Sequence, residues 1–165
     1  MIVVADASPL NYLIQIESVN ALHALFGRVL VPVAVMEELR HAHAPSEVKS
    51  WLLQIPAWVE VCTIAAPQDE ALQFLDPGER EAILLAQERH ADLLLLDERQ
   101  GRLEAKRRRI TTTGTLGVLL AAGQQGLLNT EAVFQRLLSE TSFRATAQVQ
   151  ESFLHQCRRL REKNS

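Results

Sequence analysis

Five acidic residues fall where a fold of alternating strands and helices would collect them. Each one follows an apolar segment or lies near a helix start: Asp6, Glu38, Glu79, Glu81 and Asp97. Clustered carboxylates raise one another's pKa, so such a group needs a cation to offset the repulsion. Oxygen ligands without His or Cys favour Mg²⁺ or Mn²⁺ over zinc. Such an ion lowers the pKa of a bound water and stabilises a leaving oxygen, which is the chemistry of phosphodiester hydrolysis.

Two of these acids, Glu79 and Glu81, are two residues apart in the segment LDPGEREAILLA, residues 75–86. Asp76 and Glu79 fit a capping box, in which Glu79 would serve the helix rather than a metal. Residues two apart on a regular helix point about 200° away from each other, so both face one site only from a distorted first turn. Which glutamate would bind a metal directly, and which through water, is left open.

The apolar pattern around the acids predicts strands that alternate with helices. Buried strands are expected at 2–5, 29–31 and 93–96, an edge strand at 58–62, and a β-prone segment at 110–113. The four leucines at 93–96 show no alternation, which is typical of a central parallel strand covered on both faces. We therefore predict an α/β fold with parallel strands, whose carboxyl ends meet at one edge and bring the acids together.

The helix boundaries bear on which acids are free to act. Ser8 followed by Pro9 predicts a helix that starts at Ser8 and continues toward Leu25. If Ser8 is the cap, Asp6 is left for chemistry. Two further helices are predicted at the C-terminal end, from about residue 129, with no role that the sequence indicates.

Composition places the chain in a broad class. Its 165 residues are enough for one domain, and 47% hydrophobic with 22% charged residues is typical of a globular protein. No apolar run reaches the roughly 18 residues of a membrane-spanning helix, and the opening MIVVAD has no basic segment typical of a signal peptide. The two cysteines are far apart, which argues against a disulfide or a zinc site. A cytoplasmic protein is expected.

Charge distribution is more informative than the net charge of −3. The segment from Arg99 to Arg109 is strongly basic, and within it Arg102, Lys106 and Arg107 are candidate nucleic-acid contacts. The alternative is that this segment is a solvated helix face. Basic residues beside clustered acids are compatible with an acidic pocket that has a basic flank.

Four segments together resemble a known family. VVADASPL, VPVAVMEEL, LDPGEREAILLA and ADLLLLDERQGR are similar to the PIN domain, the metal-dependent nuclease fold of VapC-type toxins. The resemblance runs from the first strand to about Leu120. The later segment TTTGTLGVLLAAGQQGLL resembles a branch of largely uncharacterised bacterial and archaeal PIN proteins.

The resemblance implies a three-layer α/β/α sandwich with a central parallel sheet, forming a single PIN-like domain over residues 1–165, and Mg²⁺- or Mn²⁺-dependent hydrolysis of RNA. It maps four acids onto the family pattern: Asp6, Glu38, Glu79 and Asp97. Glu81 is similar to the second of the paired glutamates of flap endonucleases, which share the fold. Ser8 resembles a small hydroxyl residue that orients a ligand without binding the metal. Many members carry another Asp two residues after the strand-end Asp, where this chain has Arg99.

Three functions therefore stay open. The first is a metal-dependent endoribonuclease, with the family's toxins implying an antitoxin partner and a homodimer. The second is a catalytically weak or silent PIN-like scaffold that acts through an oligomer or a protein partner, which Arg99 favours. The third is an acid-pocket receiver or phosphatase, against which ADAS lacks the second aspartate of aspartate-nucleophile phosphatases.

Overall fold

The computed structural model describes residues 1–41, 43–65 and 68–165. Over these residues, strands and α-helices alternate along most of the chain. The strands are β1 Val3–Ala5, β2 Val29–Pro32, β3 Val59–Cys62, β4 Leu93–Leu95 and β5 Thr112–Thr113. The helices are α1 Ala7–Gln15, α2 Asn20–Phe26, α3 Val33–Leu39, α4 Ser46–Leu53, α5 Pro77–Glu88, α6 Arg99–Arg107, α7 Thr115–Gln124, α8 Thr130–Glu140 and α9 Ala147–Lys163.

The five strands form one parallel sheet in the order β3-β2-β1-β4-β5. Val3 of β1 lies between Val29 of β2 and Leu93 of β4, so these three strands form the middle of the sheet. Parallel strands place all their carboxyl ends at one edge. The predicted parallel α/β fold is confirmed, and so is the edge position of β3.

Strands β1 and β4 are buried on both faces, because helices cover the sheet on each side. Val3 and Ala5 pack with α1, α2, α4, α7, α8 and α9 on one face. Val4 points the other way and packs with α5 and α6. Alternate side chains of a strand point to opposite faces, so the run of apolar residues supplies both cores. The result is the expected three-layer α/β/α sandwich.

The N-cap of the first helix lies two residues earlier than the sequence predicts. Asp6, not Ser8, occupies the N-cap position of α1, with an extended backbone (φ −82°, ψ 170°), and its side chain makes no capping hydrogen bond. Ser8 and Pro9 lie within the first turn. Proline fits there because the first N–H groups of a helix have no intrahelical acceptor. The prediction that Ser8 is the cap is wrong.

The predicted long first helix is two helices. Glu17 has a left-handed backbone (φ 56°), and the N–H of Ser18 donates to the carbonyl oxygen of Leu13 at 2.8 Å. This six-to-one hydrogen bond is typical of a Schellman ending, which ends α1 and lets α2 turn back along the sheet.

Two predictions about the class of protein can be compared with the fold. Among the described residues, no helix combines the length and the apolar character needed to cross a lipid bilayer. Cys62 and Cys157 are both buried, unpaired, and in different cores.

Candidate active site

The acid-bearing elements meet at the carboxyl ends of the two central strands. Asp6 directly follows β1, and its backbone N–H donates to the carbonyl oxygen of Leu95 in β4 at 2.9 Å, which fixes its position between the two strands. Glu38 is carried by α3, which follows β2, and Glu79 lies in the first turn of α5. Asp6 and Glu79 are only 3% and 6% exposed. We call the cleft between these three residues the acid cleft.

Gly78 shows how closely two of these carboxylates approach α5. A Cβ atom at this position would lie 3.3 Å from Asp6 Oδ1 and 3.4 Å from Glu38 Oε2. The absence of a side chain therefore leaves the space into which the two carboxylates point. Asp6 Oδ1 is buried and has no hydrogen-bond partner. Buried carboxylate oxygens are normally satisfied, so an unpartnered one is a candidate ligand atom.

Burial and like charge act together in the acid cleft. Burial is the main reason that the pKa of Asp6 lies well above its usual range, and the charges of Glu38, Asp76 and Glu79 raise that pKa further. The pKa of Glu38 is also raised, by burial of the carboxylate and by Asp76. Burial, with Asp76, Glu98 and Glu38, raises the pKa of Glu79 to about 7. The acid cleft therefore favours bound protons or a cation.

Asp76 has two roles, of which the sequence indicated one. As predicted, it caps α5, since the N–H of Glu79 donates to Asp76 Oδ1 at 2.9 Å. It also lies close enough to Asp6, Glu38 and Glu79 to raise the pKa of all three. Sequence reasoning missed this second role because the capping motif by itself explains an Asp before Pro and Gly.

Asp97 follows the strand β4 but lies in a different environment. Thr115, the first residue of α7, donates its N–H to Asp97 Oδ1 and its hydroxyl to Oδ2, both at 2.7 Å. A Cβ atom at Gly114 would lie 2.6 Å from Oδ1, so only glycine allows this approach. Burial raises the pKa of Asp97, while the bonds from Thr115 and the charge of Arg102 oppose that rise. Both oxygens of Asp97 are thus already engaged by α7.

Thr115 is a residue that sequence reasoning passed over. The sequence pattern marks residues 110–113 only as β-prone and assigns no role to the threonine that follows Gly114. A stronger signal was present, because a Gly-Thr pair that follows a strand and opens a helix offers both an N–H and a hydroxyl to a neighbouring strand end.

Glu81 contacts the start of α3. Its Oε1 accepts a hydrogen bond from the backbone N–H of Ala34, in the first turn of α3, at 3.1 Å. Two residues earlier, Glu79 is turned toward Asp6, so the two glutamates diverge as a regular helix requires. Glu81 ties α5 to the start of α3, the helix that carries Glu38.

Ser8 lies beside the acid cleft without a role as a helix cap. With Glu38, Asn11, His41 and His43 it lines a small cavity of about 230 Å³. It is two residues from Asp6 on the first turn of α1. Ser8 therefore lies near Asp6, as predicted. Its role in orienting a ligand stays a prediction.

The donor set and its surroundings suit a hard divalent cation. The oxygen of Asp6 is unpartnered, a second carboxylate points to the same space beside Gly78, and no basic side chain is among the groups that shift the pKa of Asp6. Over the residues that the structure describes, no three His, Cys, Asp or Glu side chains are already close enough to hold one ion. The flexible glutamates would therefore have to rotate toward Asp6 to complete a coordination shell.

A basic groove adjoins Asp97. Its volume is about 590 Å³, and four of its lining side chains are cationic: Arg99, Arg102, Lys106 and Arg109. The predicted nucleic-acid contacts Arg102 and Lys106 thus face the same groove. The third, Arg107, does not line it, because that side chain follows Lys106 around α6 and lies 3.3 Å from Glu104. Arg109, which follows α6 with a left-handed backbone (φ 59°), lines the groove instead.

Comparison with known proteins gives a match to a family model. The family model DUF3368, described as a PIN domain, matches residues 2–159. No curated protein and no solved structure matches the chain. The matched range includes all five strands, the acid cleft, Asp97 and the greater part of α9.

Proposed function

Because this chain belongs to the PIN-domain family, whose members are generally nucleases, we propose that it is a divalent-metal-dependent endoribonuclease that hydrolyses RNA phosphodiester bonds. One observation carries the proposal: Asp6 Oδ1 is buried without a partner, beside a second carboxylate that points to the same space. A fold gains no stability from such an arrangement, since an unsatisfied buried oxygen costs about 1–3 kcal/mol.

The acid cleft would hold the cation through Asp6, Glu38 and Glu79. Their hard oxygen donors suit Mg²⁺ or Mn²⁺. When bound, a divalent cation would lower the pKa of a water molecule and stabilise the negative charge that develops on the leaving oxygen. Because the pKa of Glu79 is about 7, a bound proton on Glu79 would compete with the cation at neutral pH and below.

Two other acids would keep these ligands in place. Glu81 holds the start of α3 through the N–H of Ala34, and α3 carries Glu38. We propose that Glu81 is a positioning residue for Glu38. Asp97 holds the start of α7 through both of its oxygens. Each of these oxygens keeps a second lone pair, so the bonds from Thr115 leave Asp97 able to contribute to the metal site.

The test is cleavage of labelled single-stranded RNA by the purified wild-type protein in Mn²⁺ and in Mg²⁺, compared with EDTA and with the Asp6→Asn variant. We expect cleavage by the wild type alone, lost in EDTA. Glu38→Gln should lower the rate of cleavage, while Glu37→Gln, on an exposed neighbour in α3, should leave it unchanged. Equal cleavage by the wild type and Asp6→Asn would contradict the proposal.

A silent PIN-like scaffold is the second candidate. Arg99 in place of the further Asp of the family pattern favours it. Titration calorimetry with Mn²⁺ separates the two candidates. A nuclease should bind the ion and lose that binding in Asp6→Asn, whereas a silent scaffold should show no binding that the substitution removes.

The toxin role, an antitoxin partner and a homodimer stay predictions from the family resemblance. Light scattering coupled to size-exclusion chromatography measures the mass of the protein in solution and so tests the homodimer. Expression of the wild type and of Asp6→Asn from an inducible promoter tests the toxin role, because a nuclease toxin should arrest growth only with an intact acid cleft.

A further inference from the structure

The basic groove continues into a second groove. This second groove has a volume of about 680 Å³, and it shares Asp97, Arg99 and Arg102 with the first. Its far wall is formed by Phe143 and Arg144, from the connection between α8 and α9. We call the two grooves together the trough.

The trough is far more basic than the chain as a whole. Its cationic residues are Arg99, Arg102, Lys106, Arg109 and Arg144, whereas its acidic residues are Asp97 and Glu98. The charge of Asp97 is further offset by two hydrogen bonds from Thr115. In a chain of net charge −3, this local excess of positive charge marks a surface that attracts a polyanion.

An aromatic pair lines the same trough. Tyr12 of α1 and Phe143 meet edge to face, with ring centroids 5.3 Å apart, and both rings are half-buried. The guanidinium group of Arg144 donates to the carbonyl oxygen of Phe143 at 3.1 Å, which holds this cation next to the aromatic pair. Aromatic rings beside cations are the usual means by which proteins bind single-stranded nucleic acid, since bases stack on the rings and phosphates pair with the cations.

The trough borders the acid cleft at Ser8, two residues from Asp6, and at Glu98, whose charge acts on Glu79. Ser8 lines the cavity beside Glu38 and also lines the trough with Tyr12 and Asp97. A strand lying along the trough would therefore be led from the basic groove to the acids. This continuity favours a substrate over an acidic peptide, because a peptide that only docks needs no path into the acid cleft.

We propose that the connection between α8 and α9, residues 141–146, is an RNA-binding element, in which Phe143 contacts a base and Arg144 a phosphate of the strand that enters the acid cleft. The proposal rests on the proposed function and deepens it. It gives the C-terminal helices a role, because α8 and α9 would hold this connection against α1.

The experiment measures binding separately from cleavage. Fluorescence anisotropy of a labelled 20-nucleotide single-stranded RNA is recorded in EDTA with the full chain, for the wild type, Phe143→Leu and Arg144→Ala. Phe143→Leu keeps an apolar side chain against Tyr12 but removes the ring face, and we expect about fivefold weaker binding or more. Arg144→Ala should weaken binding and lower the slope of log K against log salt by about 1.

Two matched controls exclude general effects. Phe74→Leu removes an aromatic ring that is 57% exposed outside the trough, and Arg159→Ala removes an exposed cation of α9. Neither should change the affinity for RNA. Thermal melting of each variant shows whether it is folded, and Arg144→Ala at an exposed position keeps the test available if Phe143→Leu unfolds.

The outcomes separate this proposal from the proposed function. If the trough variants bind RNA as the wild type does while the wild type still cleaves it, the RNA-binding role of residues 141–146 is overturned and the nuclease stands. If the wild type neither binds nor cleaves RNA, both fail. If Arg144→Ala weakens binding only of a polyglutamate peptide, the trough is a protein-docking surface and the proposal is also overturned.

Discussion

Glu79 offers the sharpest test of the electrostatics of the acid cleft. Its pKa rises from an ordinary value of 4.5 to about 7, chiefly through burial, then through Asp76 and Glu98. In the unfolded chain the group loses its proton near pH 4.5, whereas the folded protein holds the proton until about pH 7. Between these values the folded state binds more protons, so stability must fall as pH rises. Glu79→Gln removes this loss.

The magnitude follows from the pKa. At about 1.4 kcal/mol per pKa unit, the upper limit of the loss is about 3 kcal/mol. Water reaches the exposed acids around the cleft and screens them. A negative charge in the first turn of a helix also gains about 0.3–1 kcal/mol from the helix dipole, which Glu79→Gln forfeits. The net expectation is that Glu79→Gln gains about 1–2 kcal/mol of stability over the wild type between pH 4.5 and pH 8.

The assay is urea unfolding in EDTA at pH 4.5 and pH 8, followed by circular dichroism. Comparing each variant with the wild type at the same pH cancels the titration of the remaining acids. Glu81→Gln is the matched control, since an amide oxygen can still accept the N–H of Ala34, and we expect no gain of stability at pH 8. Adding Mn²⁺ at pH 8 should then stabilise the wild type and have less effect on Glu79→Gln.

One result would refute the reasoning. If the stability difference between the wild type and Glu79→Gln is the same at pH 4.5 and pH 8, then Glu79 does not carry a charge that the fold disfavours. A gain of equal size in Glu81→Gln would show instead that any glutamate of α5 gives the effect.

Two further predictions concern the residues that frame the acids. Gly78→Ala should change the free energy of unfolding by less than about 1 kcal/mol, because better helix propensity offsets the close contact. The same substitution should weaken Mn²⁺ binding in calorimetry by about tenfold or more, since the methyl group would fill the space between Asp6 and Glu38. Thr115→Val should lower the free energy of unfolding, measured with urea, by about 2 kcal/mol, because it removes a charge-assisted hydrogen bond of 2.7 Å to Asp97. An unchanged urea midpoint would show that this bond does not hold α7.

The sheet could be predicted from the sequence because local patterns determine it. Uninterrupted apolar runs at β1, β2 and β4 require cover on both faces, and this requirement alone implies parallel strands with helices on each side. The order of the strands could not be predicted, since it depends on which helices pack together across the sheet. The break between α1 and α2 was missed for a similar reason, because the left-handed turn at Glu17 carries no glycine signal.

The site was less predictable than the fold, because side-chain direction depends on long-range packing. The sequence correctly placed acids at the strand ends, and it left open whether a distorted first turn brings both Glu79 and Glu81 to one site. It could not show that Glu81 meets Ala34, which is 47 residues away in the chain. Nor could it show that Asp76, a sufficient helix cap, also raises the pKa of the other acids.

Asp6 and Asp97 are both aspartates at the carboxyl ends of neighbouring central strands. Their carboxylate oxygens nevertheless differ in hydrogen bonding. Asp97 receives an N–H and a hydroxyl from Thr115, and Asp6 occupies a helix N-cap whose side chain makes no capping bond and whose Oδ1 has no partner. The chain thus bonds both oxygens of one carboxylate while leaving one oxygen of the more buried carboxylate without a partner. Local rules of helix capping would have satisfied both, and departures from such rules concentrate at functional sites. Under the proposed function, a cation bound at Asp6 would account for this difference, with Asp97 fixing the helix beside it.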